Sequence, residues 1–299
     1  MKITILGCGA LGRLLAYFLT KNGNNVQGWL KKDKKDNICI NIIHINNMKD
    51  NIILPTNNIL HLNSSNLLIV TLKIGSIVYS LKQIINFINK NCIVLLIYNG
   101  LGIETKLSFI KQSLLIGVTY HAVYKEKEII YHNHKGLTVI GKINSATKNI
   151  NYNFLIKKLN LALTNVIWCE DIYTFKLKKL AVNCVINPLT TIYNCKNGEL
   201  LKYNKSIFSI CKELSDILQY MGMFINTKDL IILVNNVINN TKNNISSMLQ
   251  DIRNNKYSEI DYINGYIIKY AKLYNLYVYE NIKLFNMIKY KELNIINNN

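Results

Sequence analysis

The chain has 299 residues, 49% of them hydrophobic, which suffices for one large core or two medium ones. No run of 18 or more apolar residues occurs, so a helical membrane span is not expected. The formal charge is +19, but arginine stands only at positions 13 and 253 and the lysines are spread throughout, a pattern that argues against specific nucleic-acid recognition and leaves a general pull on small anions.

In chain order, Lys2 to Leu6 reads as a β-branched strand. Glycines at 7, 9 and 12 follow it instead of a long apolar stretch, so no secretory leader is expected here. A helix runs to about Asn22 with Leu11, Leu14, Leu15, Phe18 and Leu19 on one face, and Gly23 ends it. Val26 to Leu30 and Leu67 to Leu72 are strands, with a helix around Ile77 to Ile88 after the second. Cys92 to Tyr98 is a buried strand, closed by Asn99-Gly100-Leu101-Gly102, and Ser113 to Thr119 is another. Glu128 to Tyr131 and Leu137 to Ile140 suggest a hairpin near the sheet edge.

This βαβ rhythm predicts an α/β fold, a Rossmann-type doubly wound sheet. Beyond Trp168 the strand signals vanish and helical periodicity takes over, at roughly 171–193, 206–221, 228–242 and 260–274. Two domains are expected, 1–168 and an all-helical 169–299, with a frayed tail from Asn294 to Asn299. The seven cysteines (8, 39, 92, 169, 184, 195 and 211) form no C-x-x-C pair and read as reduced core residues of a cytoplasmic protein. His132 and His134 have no cysteine or carboxylate cluster around them, so no metal site is expected.

Gly7-Cys8-Gly9-Ala10-Leu11-Gly12 is a G-x-G-x-x-G run between a strand and a helix, the setting of a dinucleotide site. Gly7 permits the tight turn, Gly9 lets the backbone approach a pyrophosphate, and Gly12 lets the helix pack close. A flavin site or a plain glycine turn fits the same letters. At the end of the second strand, NAD-binding versions place an acid; here Leu30-Lys31-Lys32 stands instead. Cations there favour a 2′-phosphate, hence NADP(H), unless both are ordinary surface lysines. Lys73 and Asn99 end two further strands, where ligands of open α/β sheets bind. Asn99-Gly100 also fits an ordinary turn.

Lys179, Asn183 and Asn187 stand four apart in an otherwise apolar run and share one helical face. One ammonium and two carboxamides suit a small, oxygen-rich anion, although a chain this rich in Asn and Lys also produces such rows by chance. Pro188 sets a kink on that helix just after Asn187. Further on, Ser258 and Asp261 resemble a capping box, which leaves Glu259 for another role.

The glycine run, Lys179 through Thr190, Asn197-Gly198-Glu199-Leu200 and Ile245 through Gly265 together closely resemble the ketopantoate reductase family over nearly the full length. The resemblance implies a Rossmann domain joined to a helical domain, with the active site in the cleft between them. It implies NADPH-dependent reduction of the small molecule 2-dehydropantoate to (R)-pantoate, a step toward pantothenate and coenzyme A. By matching motif it makes Lys179 the catalytic proton donor. Asn99, Asn183, Asn187, Asn197, Asn244 and Ser247 match substrate-binding positions. Glu259 matches an acidic position that contacts cofactor and substrate. Gly7 to Gly12, Lys73, Asn99 and the backbone near Val123 match cofactor contacts. The family commonly places Arg where this chain has Lys31, and lysine keeps the charge but loses bidentate geometry. A monomer or homodimer is expected, with no nucleic-acid or membrane partner. Two other readings stay open: another two-domain 2-oxo or β-hydroxyacid dehydrogenase, and a non-enzymatic NADP-sensing Rossmann protein.

Overall fold

β1 (Lys2–Leu6) is buried at every position after Lys2, as a strand covered on both faces must be. In the computed structural model, which describes residues 1–31, 36–143 and 152–296, it lies inside a seven-stranded sheet. The chain divides into two units, Met1–Tyr98 with Ile103–Ile172, and Asn99–Gly102 with Tyr173–Asn299.

In the first unit β1 is followed by α1 (Ala10–Lys21), β2 (Asn25–Trp29), β3 (Asn37–Ile43), β4 (Lys49–Pro55), α2 (Ile59–Asn63), β5 (Leu67–Val70) and α3 (Ile74–Ile84). Then come β6 (Ile93–Ile97), β7 (Ser113–Thr119), β8 (Ala122–Glu126), β9 (Ile129–His134), β10 (Thr138–Lys142), α4 (Tyr152–Leu163) and β11 (Val166–Trp168). The main sheet has the order β11-β10-β7-β6-β5-β1-β2. Every pair is parallel except β7 with β10. Strand order reverses at β1, whose two neighbours are β2 and β5, and this is the crevice where a doubly wound sheet binds ligands.

The expected hairpin between the segments near 129 and 138 does not form. β9 instead pairs with β8 and β3 in a second, four-stranded sheet of order β4-β3-β9-β8, while β10 joins the main sheet beside β7 and β11. The reason is α1, which packs against β3, β4, β8 and β9 as well as β1 and β2. Its apolar face is wide enough to serve two sheets, so Ile40, Ile42, Leu54 and Ile130 share one core with Leu14, Leu15 and Leu19. His132 turns inward there, edge-on to Phe18 and 3.1 Å from His121 Nδ1.

In the second unit the described residues form helices: α5 (Ile172–Tyr193), α6 (Asn204–Tyr220), α7 (Thr227–Asn240), α8 (Ser247–Arg253), α9 (Asn264–Leu273) and α10 (Tyr279–Ile296). One apolar core runs through it, with Leu180, Val185, Leu214, Leu218, Val234, Ile267 and Ile288 buried. α5 runs on through Pro188 to Tyr193. α9 starts at Asn264 rather than 260, because residues 260–262 make a 3₁₀ turn first. α10 was not foreseen, and it carries Asn294 in regular helix. Lys32 and Asn297 to Asn299 lie outside the described residues. No described helix is long and apolar enough to cross a membrane.

Candidate active site

The glycine run shapes the first unit's part of the site. Gly7 has φ +100°, a conformation that disfavours any side chain, and it turns the chain from β1 into α1. A Cβ on Gly12 would collide with the Gly7 carbonyl oxygen and lie inside van der Waals contact of Thr71 Oγ1, so α1 can sit this close to β1 and β5 only with glycine there. Thr71 fastens the turn: its N–H reaches Leu6 O at 2.9 Å and its hydroxyl donates to Gly7 O at 2.5 Å. A Cβ on Gly9, by contrast, would meet nothing within 4 Å.

That open space fits a dinucleotide pyrophosphate. Gly9 is the N-cap of α1 and provides no side-chain cap, and the first turn holds no acid, so the amide ends of Ala10 and Leu11 and the helix dipole remain suited to an anion. Cys8 is part of the turn, with its thiol near Gly28, where a Cβ would crowd it. Arg13 is not placed for phosphate binding: its guanidinium holds Cys8 O at 3.1 Å and Glu128 at 2.8 Å. Lys31 is exposed just beyond β2, and the adjacent Leu30 N–H is fixed by Asn57 Oδ1 at 2.7 Å. Lys73 is exposed as the N-cap residue of α3. Val123 is half-buried in β8 beside a register shift between Ala122 and Val123. The structure leaves these residues where strand C-termini and turns put them, all within the first unit.

The second unit gathers the rest around α5. Lys179 and Asn183 are half-buried and Asn187 is buried on that helix, one turn apart each. The loop Asn99–Gly102, which follows β6 in sequence, belongs to this unit. Two of its glycines explain why. Gly100 (φ +78°) and Gly102 (φ +108°) abut Tyr262 and Tyr266 so closely that a Cβ at either position would clash, and Leu101 N–H donates to Tyr262 O at 3.0 Å. The loop is thereby laid along the segment that carries Glu259, and Asn99 Nδ2 donates to Glu259 Oε2 at 3.3 Å.

The segment around Glu259 is held by α10, not by a capping box. Ser258 donates both its N–H (2.8 Å) and its hydroxyl (2.7 Å) to Glu292, and Asp261 pairs with Lys289 at 3.1 Å. Both partners sit on a helix that sequence periodicity did not reveal, so the local cap pattern had nothing to compete against on paper. Glu259 is half-buried beside Lys179. Burial pushes the Lys179 ammonium down to about 8; the Glu259 carboxylate opposes that, and the Lys176 charge adds to it.

Asn197 and Asn244 are brought together by a backbone bond, Asn197 N–H to Asn244 O at 3.0 Å. Asn197 is buried, donates through Nδ2 to Thr241 Oγ1 at 2.8 Å, and its Oδ1 accepts no hydrogen bond within the described residues. Ser247 is exposed at the first turn of α8. Its neighbour Ser246 is the buried N-cap, accepting from Leu249 N–H at 3.2 Å and lying 2.7 Å from the Thr190 hydroxyl on α5. Ser246 and Thr190 were missed in the sequence, as was Lys176, a buried lysine three residues before Lys179. The serine pair before an apolar run was the available signal for the cap.

The chain matches two family descriptions, "Ketopantoate reductase PanE/ApbA" over residues 3–145 and "Ketopantoate reductase PanE/ApbA C terminal" over residues 171–292. It is 40% identical to a 2-dehydropantoate 2-reductase of Yersinia pestis over 273 residues, 91% of this chain and 89% of the relative. Identity to the 2-dehydropantoate 2-reductase of Vibrio cholerae is 30%, with 90% of each chain covered. Among solved structures, a PanE/ApbA family ketopantoate reductase from Ralstonia eutropha superposes with a TM-score of 0.86 at 19% identity, covering 99% of both chains. A D-mandelate dehydrogenase solved with NADH and anilino(oxo)acetate superposes at 0.89 with 23% identity and the same coverage; at such identities both show a shared fold. With both halves matched and close relatives aligned nearly end to end, the chain belongs to the ketopantoate reductase family.

Proposed function

We propose that this protein reduces 2-dehydropantoate to (R)-pantoate with NADPH, in pantothenate synthesis in the cytoplasm. The observation that carries the reading is the half-buried Lys179 beside Glu259, an ammonium whose proton is loosened by burial and which shares its helix with two carboxamides. The first unit serves as the cofactor domain and the second as the catalytic one. Gly7 to Gly12 cradle the pyrophosphate at the N-terminus of α1, Lys31 attracts the 2′-phosphate, and Lys73, Asn99 and the backbone at Val123 complete the cofactor contacts.

Bound there, the reduced nicotinamide supplies a hydride. Lys179 stabilises the negative charge that grows on the ketone oxygen and gives it a proton. Asn183, Asn187, Asn197, Asn244 and Ser247 hold the substrate carboxylate and hydroxyl, which fixes the ketone in a reactive pose. Glu259 orients Asn99 through the 3.3 Å bond and keeps the Lys179 amine charged until transfer.

Loss of NADPH absorbance on adding 2-dehydropantoate tests the assignment directly. NADPH binding without turnover of this substrate would overturn it, and faster turnover of another 2-oxo acid would move the chain toward a different dehydrogenase. The preference for NADP(H) is tested by comparing kcat/KM for NADPH and NADH; equal values would remove Lys31 from its role.

A further inference from the structure

We propose that Thr190 and Ser246 are positioning residues for the substrate: their buried hydroxyls, 2.7 Å apart, fix the start of α8, which carries Ser247, against the stretch of α5 that carries Asn187. The inference rests on the reading of Asn187 and Ser247 as substrate-holding residues. Thr190 is fully buried, Ser246 is 5% exposed, and they lie 56 residues apart in sequence. Each already has a partner within its own element. The Thr190 hydroxyl lies 2.7 Å from Ile186 O, a common anchorage for a helical threonine, and Ser246 Oγ accepts the Leu249 N–H at 3.2 Å as the N-cap of α8. Local satisfaction therefore does not require that the two meet. Their contact adds a tie of fixed length and direction, since a hydrogen bond weakens steeply as its angle falls, whereas apolar packing has no such preference.

Both ends of this tie are stiffened. On α5, the Asn187 carbonyl lies 3.0 Å from the Thr190 hydroxyl and accepts the Thr191 hydroxyl at 2.7 Å. The backbone of Asn187, next to the helix-disturbing Pro188, is thereby bound to the same threonine that meets Ser246. Ahead of α8, Gly198 N–H donates to Lys242 O and Asn197 N–H to Asn244 O, each at 3.0 Å. Beyond Ser247, Arg253 in the last turn of α8 donates through Nε (3.1 Å) and Nη2 (2.7 Å) to Asn194 Oδ1, just past the end of α5. α8 is thus tied to α5 and its C-terminal end at both of its own ends. The spacing between Asn187 and Ser247 is set before substrate arrives, so binding does not have to order them.

The test compares steady-state kinetics for wild type, Thr190→Val, Thr190→Ser, Ser247→Ala and the double variant Thr190→Val/Ser247→Ala. Valine keeps the shape of threonine and removes the hydroxyl. It is expected to raise KM for 2-dehydropantoate about tenfold, the scale of a misplaced binding group. kcat and KM for NADPH are expected to change less than about threefold, the pattern of lost ground-state binding. Thr190→Ser keeps the hydroxyl and is expected to keep the wild-type KM. In the double variant KM is expected to match that of Ser247→Ala, because Thr190 acts on the substrate through Ser247 and the two effects do not multiply. A wild-type KM in Thr190→Val, with or without a lower melting temperature, overturns the inference. So does a loss in Thr190→Ser as large as in Thr190→Val, or full multiplication in the double variant. A wild-type KM in Ser247→Ala overturns the substrate reading itself, and the inference with it. Should Thr190→Val fail to fold, Ser246→Ala against Ser246→Thr probes the pair from the other side, and equal KM values in those two overturn the inference.

Discussion

The side-chain amide of Asn264 donates to the backbone carbonyl of Cys184 at 3.0 Å. That carbonyl is the acceptor which Pro188, four residues on and without an N–H, leaves without its helical partner. Asn264 thus repairs α5 from outside, in the middle of the row that carries Lys179, Asn183 and Asn187. It is held in turn by Asn281 at 3.0 Å, and Asn281 by Glu213 at 3.0 Å, so that α6, α9 and α10 all bear on one carbonyl of α5.

Replacing this donor leaves a buried carbonyl unsatisfied. Asn264→Leu is expected to lower unfolding free energy by about 1–3 kcal/mol, read as a shift of the urea midpoint. An unchanged midpoint would show that the bond carries no stability.

Gly9 and Gly12 separate ligand space from protein space. Gly12→Ala forces a Cβ into the Gly7 carbonyl and is expected to destabilise the first unit, seen in melting temperature. Gly9→Ala meets no protein atom and is expected to melt like wild type while weakening NADPH binding at least tenfold, about 1.4 kcal/mol. Calorimetric titration checks the second half; wild-type affinity in Gly9→Ala would place the pyrophosphate elsewhere.

Lys179→Ala is expected to lower kcat/KM by about 10² or more, the usual loss on removing a general acid. The donor works only when protonated, and its value has fallen from 10.5 to about 8. Activity is therefore expected to be full below that pH and to decline as pH rises through it. A profile flat from pH 7 to 10 would count against Lys179.

Glu259→Gln removes a carboxylate that helps Lys179 hold its proton, so the alkaline limb is expected to shift to lower pH, with kcat falling more than melting temperature. The clamp of residues 258–262 by Glu292 and Lys289 does not involve the Glu259 side chain and should survive. A large stability loss with intact turnover would make Glu259 a structural residue.

Lys31→Glu is expected to raise KM for NADPH severalfold or more and to leave KM for NADH nearly unchanged, since only the former carries a 2′-phosphate. Parallel increases for both cofactors would point to local disruption instead.

The α/β fold was legible wherever the chain obeyed local periodicity. β1, α1, β5, β6 and β7 follow from buried apolar runs and glycine punctuation, and α5 from its long apolar pattern. The second sheet was passed over although β3 alternates, Ile38, Ile40 and Ile42 against Asn37, Cys39 and Asn41; β4 blurs the pattern with consecutive Ile52, Ile53 and Leu54, and its buried face shows only in the core shared with α1. The glycine run and the Lys179 row could be read because each is written within one element. Ser258 and Asp261 were misread as a cap because their partners, Glu292 and Lys289, lie about thirty residues away on a helix with a mixed surface. Lys176 was overlooked since a further lysine in a lysine-rich chain carries no signal until its burial is known.

The loop Asn99–Gly102 has a consequence for dissection of the protein. Because it clusters with the helical unit, the polypeptide passes from one unit to the other three times, at 98/99, 102/103 and 172/173. No single cut yields both units whole. A fragment starting at Tyr173 would lack Leu101 from its core and the N–H that Tyr262 O accepts. The helical unit is therefore not a cassette that could have been appended or exchanged at one junction, and recombination between relatives should succeed only when this short loop travels with it.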